Sequence, residues 1–502
     1  MNLPAALEWV LITVCTFLVL LSSLPLFAGV YQFLMVGASV FSTHLDDAEQ
    51  YEPNVSILIP AWNEGAVIGA TIDRLMRLNY PLDRLRIYVV DDASTDETPG
   101  LVIEKSREYP GNVFHLRRVA GGEGKAHTLN FGLDVLWRST WTEAVLIMDA
   151  DVIYTEDSLR KMTRHLDDEE VGAVTAYIKE GSADPNYVQR FITFEYITAT
   201  GASRRAQNSL GFLACLSGGA QLHSRANMMA IGGQIFSETL AEDTFTTFRT
   251  QLQGRRAIFE PNAIVYAEEP DRLIGLWKQR LRWGRGNVQI TSVYRDLWFN
   301  HRAHATMGSP QMAIMWFSIF LMPLFQIGAS TGLCTLYFVN APAAWRLFTY
   351  YWVFSAIVYL VVTITSFVVD PESARKSWFE GLIFPGVVSL AVNLNALFPF
   401  AFTAITDRFD PFSYAATDMV IALFLYSWLS VAMLVSYSAK ALEGTRLGRL
   451  AGLPLYIGGY GAFLCAVTFA SYVKEFRGAD LTWDKTEKTG KVTGASDGPV
   501  PA

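Results

Sequence analysis

The chain is poor in the residues that would build a disulfide framework or a metal cluster. Only 4 of its 502 residues are cysteine. Cys15, Cys334 and Cys465 sit in apolar runs and Cys215 stands alone in the polar part, so neither construction is supported. Positive charge is also scarce: 40 Lys and Arg against 48 Asp and Glu leave a net charge of −8, which argues against nucleic acid as a partner. The glycine-rich stretch Gly121-Gly122-Glu123-Gly124-Lys125 lacks the P-loop spacing and its trailing Ser or Thr. Lys125 is left as a phosphate or nucleotide contact, with a plain surface loop as the competing reading. No internal repeat is visible.

Charge is missing altogether from long stretches. Residues 9–43 hold no Asp, Glu, Lys or Arg, and their core reads WVLITVCTFLVLL. A membrane-spanning helix needs roughly 20 apolar residues. A signal peptide is disfavoured by the missing basic n-region and the length of the run, so the sequence predicts a retained N-terminal transmembrane helix within 1–44. Residues 303–345 are again free of charge, and further apolar runs lie near 347–369, 380–405, 419–438 and 452–473. That predicts five more spans within 303–475, followed by a polar, disordered tail over 476–502. The 380–405 run carries Pro385, Asn393, Asn395 and Pro399, which suit a kinked or re-entrant segment. Arg375 and Lys376 in one short loop, and Lys440, Arg446 and Arg449 in another, fall on the side of the polar segment. The positive-inside rule then places that segment in the cytoplasm.

Residues 45–302 read as an α/β domain. Val55–Pro60, Ile87–Val90 and Val145–Met148 are short β-branched apolar runs, with helical spacing over 65–78 and 96–108 between them. Strands alternating with helices predict a doubly wound, mostly parallel sheet, whose ligands bind at the carboxyl ends of the strands. Asn63-Glu64, Asp91-Asp92 and Asp149-Ala150-Asp151 all follow strand ends and should line one edge. Two carboxylates one residue apart suit Mg²⁺ or Mn²⁺ bridging to a diphosphate, although such a pair alone is equally a set of solvated loop acids. Asp91 to Asp96 and Glu242-Asp243 read alone as helix N-caps; the functional reading of the latter is a general base beside a sugar hydroxyl. Near 271–285 an amphipathic helix is predicted. Leu273, Ile274, Trp277 and Leu281 share one face, suited to the membrane interface, and Gln279, Arg282 and Trp283 share the other.

Taken together, Asp92, Asp149-x-Asp151, Glu242-Asp243 and Gln279-x-x-Arg282-Trp283 resemble the ordered motifs of membrane-embedded processive family 2 glycosyltransferases. These include hyaluronan, chitin, cellulose and poly-N-acetylglucosamine synthases. Ile59-Pro60-Ala61-Trp62-Asn63-Glu64, Gly124-Lys125-Ala126 and Leu216-Ser217-Gly218-Gly219 add local matches, and the resemblance covers roughly 50–290. It implies a GT-A-type fold, a UDP-sugar donor, a Mg²⁺ or Mn²⁺ cofactor, and inverting transfer to a growing β-linked polysaccharide coupled to its passage through the inner membrane. Trp62, Glu64, Asp91, Asp92, Lys125, Asp149, Gln279 and Arg282 would bind the nucleotide sugar. Asp149 and Asp151 would hold the metal, Asp243 with Glu242 would carry the chemistry, and Ser217, Gly218 and Trp283 would meet the acceptor. The alternative is transfer of a single sugar to a membrane lipid. The stretch Trp277–Trp283 is similar to poly-N-acetylglucosamine synthases, and an accessory export or regulatory subunit is compatible with the family. Ala241 stands where cellulose-type members often carry Thr, and Ala93 where Gly is frequent.

Overall fold

The computed structural model describes residues 4–40, 50–401 and 408–480, and it divides into two compact units. One gathers the described parts of 34–271 and 286–313, the other those of 1–33, 272–285 and 314–479. The segment 272–285, expected as an interface helix of the soluble domain, therefore groups with the apolar helices.

The first unit is built on eight strands: β1 (Val55–Ala61), β2 (Leu85–Asp91), β3 (Val113–Arg117), β4 (Ala144–Ile147), β5 (Ile153–Tyr154), β6 (Val171–Glu180), β7 (Gln221–Ser224) and β8 (Arg256–Ala267). They form one sheet in the order β3-β2-β1-β4-β7-β6-β8-β5. β3, β2, β1 and β4 are mutually parallel, β7 runs against both β4 and β6, β8 is parallel to β6, and β5 is antiparallel to β8. The parallel half matches the expected βα alternation, and the helices Ile68–Leu75, Thr98–Glu108 and Lys125–Leu136 supply its crossovers. Ile57, Ile59, Ile87, Val89, Leu146 and Met148 pack one apolar layer; Leu58, Val90, Leu129, Leu133, Val145 and Ile147 pack the other. Both faces are covered, which is why β1, β2 and β4 read as unbroken apolar runs.

Fully buried Glu260 on β8 shows how the antiparallel half accommodates charge. Its carboxylate meets His165 Nε2 at 2.6 Å and Arg164 at 2.9 Å. Burial works against its ionisation, but hydrogen bonds from His165, Asn262 and Arg164 outweigh it and lower its pKa.

The second unit is helical. By length and composition, Ala5–Gly37, Met322–Val369 and Ala416–Glu443 can each cross a membrane, and the pair Gly448–Gly458 and Tyr460–Phe476, bent by 99°, is a fourth if counted as one span. This differs from the five spans expected after residue 303. Met322–Val369 is 48 residues long, which at about 1.5 Å per residue exceeds twice the roughly 30 Å of a bilayer core. The segment breaks at Asn340 (φ −152°, ψ 84°). Asn340 Oδ1 accepts from Ala343 N at 3.0 Å and Pro342 sits in the following turn, so a new helix is capped and started there. Of the 380–405 run, Val387–Leu397 is helical and 402–407 lie outside the described residues. The expected kink is found at Gly386 (φ 87°), which packs against Gly459 (φ 100°): a Cβ on Gly386 would come within 2.5 Å of Ile457 O, and one on Gly459 within 2.4 Å of Pro385 C. Residues 481–502 of the expected tail are likewise outside the described residues.

Candidate active site

The carboxyl ends of β2, β1 and β4 are adjacent, and the loops leaving them are laced together. After β1, Asn63 N donates to Ser94 Oγ (2.9 Å), and Asn63 Oδ1 accepts from Thr95 N (2.9 Å). Glu64 N donates to Thr98 Oγ1 (2.8 Å) and Gly65 N to Asp96 Oδ2 (3.0 Å). Asn63 and Ala93 both adopt left-handed backbone, at φ 53° and 58°. Asn tolerates this, whereas Ala is strained there. Trp62 is exposed beside them and Glu64 is partly buried.

The two aspartates after β2 have different surroundings. Asp91 is fully buried: Oδ1 accepts from Ser94 N at 2.8 Å, and Oδ2 lies 3.5 Å from His115 Nε2 and from Arg117 Nη1. Its carboxylate supports the loop from inside. Asp92 faces the next loop, paired with Arg118 and accepting from Gly122 N at 2.9 Å. Gly121 is held so close that a Cβ would stand 2.2 Å from Asp92 O, so only glycine fits. Arg118, which the sequence reading passed over, follows β3 directly, so it too stands at a strand end.

Lys125 opens the helix Lys125–Leu136, and its ammonium does not point outward from a surface loop. It lies 2.6 Å from Asp149 Oδ1, 3.1 Å from Gly218 O and 3.8 Å from Glu242 Oε1. Burial opposes its charge, but Asp149 and Glu242, with Asp243 beyond them, prevail and raise its pKa, so it remains an ammonium ion. The turn Ser217-Gly218-Gly219-Ala220 passes between the acids. Thr175 Oγ1 anchors it from both ends, accepting from Ser217 N (3.0 Å) and donating to Ala220 O (2.8 Å). A Cβ on Gly218 would stand 3.3 Å from Asp243 Oδ2 and 3.5 Å from Lys125 Nζ; one on Gly219 would meet Val152 at 2.9 Å. The two glycines let the carboxylates close around the turn.

Glu242 and Asp243 begin the helix Glu242–Leu252. Glu242 is buried, and Asp243 is partly exposed with Oδ1 accepting from Thr244 N at 2.7 Å. Gln289 fixes the approach to this helix by accepting from Leu240 N (2.9 Å) and Thr239 Oγ1 (3.0 Å). Ala241 backs onto Gly286, where a Cβ would come 2.5 Å from its own, so the small residue at 241 is matched by its neighbour. Cys215 Sγ accepts from Thr244 Oγ1 at 3.1 Å, and burial together with Asp243 keeps this sulfur a thiol.

Asp149 and Asp151 follow β4 as two hard oxygen donors. Among the described residues no group of three or more acidic, His or Cys side chains gathers to hold a metal. Two hard oxygen donors of this kind suit a divalent cation.

The sequence profile described as "Glycosyltransferase like family 2" matches residues 53–286. This segment is a family 2 glycosyltransferase domain. The chain is 31% identical over 249 residues to the probable glycosyltransferase YdaM of Bacillus subtilis, covering 49% of this chain and 58% of that protein. It is 27% identical over 278 residues to a poly-beta-1,6-N-acetyl-D-glucosamine synthase of Staphylococcus aureus, covering 54% and 64%. It thus spans about three fifths of the curated relatives it matches. Among solved structures, the mannosyltransferase PcManGT of Pyrobaculum calidifontis, in complex with GDP-Man and Mn²⁺, superposes with a TM-score of 0.52 at 20% identity. That match covers 78% of this chain and 99% of the other. It supports the GT-A-like fold expected for this domain, whose sheet is mixed where a mostly parallel one was expected.

The remaining motif residues lie on the helix Leu273–Val293, at positions in the helical unit. Glu443 caps the start of this helix, accepting from Leu273 N (2.9 Å) and Ile274 N (2.7 Å). Arg285 pairs with Glu475, and Gly284 packs where a Cβ would come 2.7 Å from Ser471 Oγ. The expected split into one apolar and one polar face is only partly found. Leu273 and Trp277 are buried, but so are Arg280 and Arg285. Burial of these cations is made tolerable by partners: Glu475 takes Arg285, while Arg280 donates to Gln279 Oε1 and lies 4.1 Å from the Trp283 ring centroid. Trp283 itself is 40% exposed and Arg282 partly buried.

Proposed function

We propose that this protein is an inner-membrane polysaccharide synthase. In this reading it transfers a hexose from a UDP-sugar, with inversion, to the end of a growing β-linked chain, and its glycosyltransferase domain faces the cytoplasm. The observation that carries the reading is the Lys125 ammonium drawn between Asp149 and Glu242 across the glycine turn, with Asp243 beside it. Trp62, Glu64 and Asp92 would hold the nucleoside end, with buried Asp91 bracing their loop from inside, and Lys125 and Asp149 the diphosphate end.

A divalent cation held by Asp149 and Asp151 would neutralise the departing diphosphate. Asp243 takes the proton of the acceptor hydroxyl as its oxygen attacks the anomeric carbon. The new glycosidic bond forms as the carbon–oxygen bond to the diphosphate breaks, and UDP leaves with the electron pair. Attack from the face opposite an α-linked leaving group gives a β-linkage. Ser217 and Gly218 would meet the acceptor. By their motif, Gln279 and Arg282 would stabilise the leaving diphosphate, and Trp283 would stack on the acceptor sugar.

Membranes containing the protein, given labelled UDP-sugars with UDP-N-acetylglucosamine first, should release UDP and build a polymer of many units. A single lipid-linked sugar without polymer overturns processive synthesis in favour of transfer to a lipid. EDTA should abolish turnover and Mg²⁺ or Mn²⁺ restore it; full activity in EDTA refutes the metal role of Asp151.

A further inference from the structure

Arg204 meets the glycine turn at Ser217, next to the Gly218 that Lys125 touches. It follows a seven-residue π-helical segment, Tyr196–Ala202, at the start of the helix Ser203–Ser209. Wide turns of this kind are rare and recur at functional sites. Its guanidinium donates to Ser217 Oγ, and its Cζ stands 5.9 Å from the Phe259 ring centroid. Among the described residues Ser217 is its hydrogen-bond acceptor, and no carboxylate comes within the 4.0 Å of an ion pair. A guanidinium carries five N–H donors in a planar fork, so most of this fork is unspent.

Burial strips water from Arg204 and lowers its pKa, against the opposing pull of Cys215, Asp243 and Tyr196. Arg204 is only partly buried, so its unspent donors stand open to a ligand that brings acceptor oxygens. The local charge count restricts that ligand. Asp149, Glu242 and Asp243 face Lys125, and Asp243 faces Arg204 as well, so three negative charges stand against two positive. A further anion is disfavoured on this side, whereas hydroxyl or amide carbonyl oxygens are not.

We propose that Arg204 is an acceptor-binding residue, which holds the neutral terminal sugar of the growing chain by its oxygens and presents the reacting hydroxyl to Asp243. The assignment rests on the proposed sugar transfer. Asp243 then stands between two cations with separate tasks: Lys125 toward the donor and Arg204 toward the acceptor.

The test uses the full chain in detergent, with UDP-N-acetylglucosamine as donor and a short β-linked N-acetylglucosamine oligosaccharide as primer. Arg204→Gln should raise the primer KM by about 10-fold or more, the equivalent of a lost hydrogen bond to a charged group. The donor KM should stay within about twofold, because the donor-side contacts are intact. Products should shift from extended primer toward free sugar, since water still reaches the donor. Arg204→Lys should recover part of the primer affinity, and added guanidinium should recover part of it in Arg204→Ala. An unchanged primer KM and transfer-to-hydrolysis ratio in Arg204→Gln overturns the inference, as does a donor KM that rises by the same factor. If Arg204→Gln fails to fold, Arg204→Lys decides: its primer KM should rise above wild type with the donor KM unchanged, and no change overturns the inference. Transfer to a polyprenyl phosphate but not to the oligosaccharide overturns the choice of a neutral sugar. A wild type that releases UDP from no UDP-sugar overturns the proposed reaction itself.

Discussion

Replacing Lys125 with Met keeps the length of the side chain and removes its charge. In the structure that charge lies 2.6 Å from Asp149 and 3.8 Å from Glu242. At an effective dielectric of about 20, Coulomb's law gives roughly 6 kcal/mol for the first contact and roughly 4 kcal/mol for the second. The Asp149 side chain is 40% exposed, so solvent screens its contact substantially. The water that Lys125 gives up on burial offsets several kcal/mol more. Removing one partner of a buried charge network commonly costs about 3–5 kcal/mol, and the exposure of Asp149 favours the lower end. For a domain of about 250 residues, 3 kcal/mol corresponds to a fall of roughly 6–12 °C in the melting midpoint. Tryptophan fluorescence during thermal unfolding in detergent would read it. In Lys125→Met/Asp149→Asn the orphaned carboxylate is gone, so the double variant should be more stable than the sum of the single losses by at least about 1 kcal/mol. UDP release should fall about 100-fold or more, as for removal of one preorganised electrostatic group. A Lys125→Met protein that melts within 2 °C of wild type, with Asp149→Asn costing the same in both backgrounds, would refute the view that this ammonium organises the site.

Three further outcomes follow from single contacts. Burial depresses the pKa of His223 on β7 from 6.5 to about 4, so its stabilising contribution is full above pH 6.5 and is lost as the pH falls toward 4. The loss is about 1.4 kcal/mol per pH unit and about 3 kcal/mol in all. Urea midpoints of His223→Gln should flatten over that window relative to wild type, and parallel curves would count against a neutral buried imidazole. Ala93 at φ 58° should accept glycine with a gain of about 0.5–1 kcal/mol, the relief of left-handed strain less the added freedom of the unfolded chain; a lower melting temperature would contradict this. Glu443→Gln loses the charge and one of the two capping contacts at the start of Leu273–Val293. It should cost about 1–2 kcal/mol and speed hydrogen exchange at the amides of 273–277 specifically, and unchanged protection there would show that the cap bears no load.

The parallel half of the sheet was legible because its strands are buried on both faces. β1, β2 and β4 therefore announce themselves as unbroken apolar runs with acids at their ends, and the acids fall where the topology brings them together. β6 and β8 were not read. They are long, but their polar residues are hidden by specific partners: fully buried Glu260 on β8 is neutralised by Arg164 and His165, which lie nearly a hundred residues earlier. Periodicity carries no trace of such a match. The helix expected near 271–285 lies within Leu273–Val293, but buried Arg280 and Arg285 were not foreseen. Arg285 is accommodated by Glu475, 190 residues away in the chain.

The same asymmetry explains why the sequence exposed the acids of the candidate site and, through its motif, Lys125, but hid Arg204 and the contacts both cations make. Asp92, Asp149, Asp151 and Asp243 are set by local rules, at a strand end or in the first turn of a helix, so their neighbours in sequence declare them. Lys125 and Arg204 carry long side chains that reach beyond their own helices, 93 residues on to Gly218 in the first case and 13 residues on to Ser217 in the second. A site read from its acids alone looks like a metal cage waiting for an ion. With the cations in place, Asp243 is flanked by positive charge toward donor and acceptor alike. In the proposed reaction a divalent cation would serve chiefly to bring in the diphosphate, whose two negative charges would otherwise enter a cluster already short of positive charge. That division of labour makes the Lys125 and Arg204 variants separable: one should weaken the donor side and the other the acceptor side, although both cations face the same carboxylate.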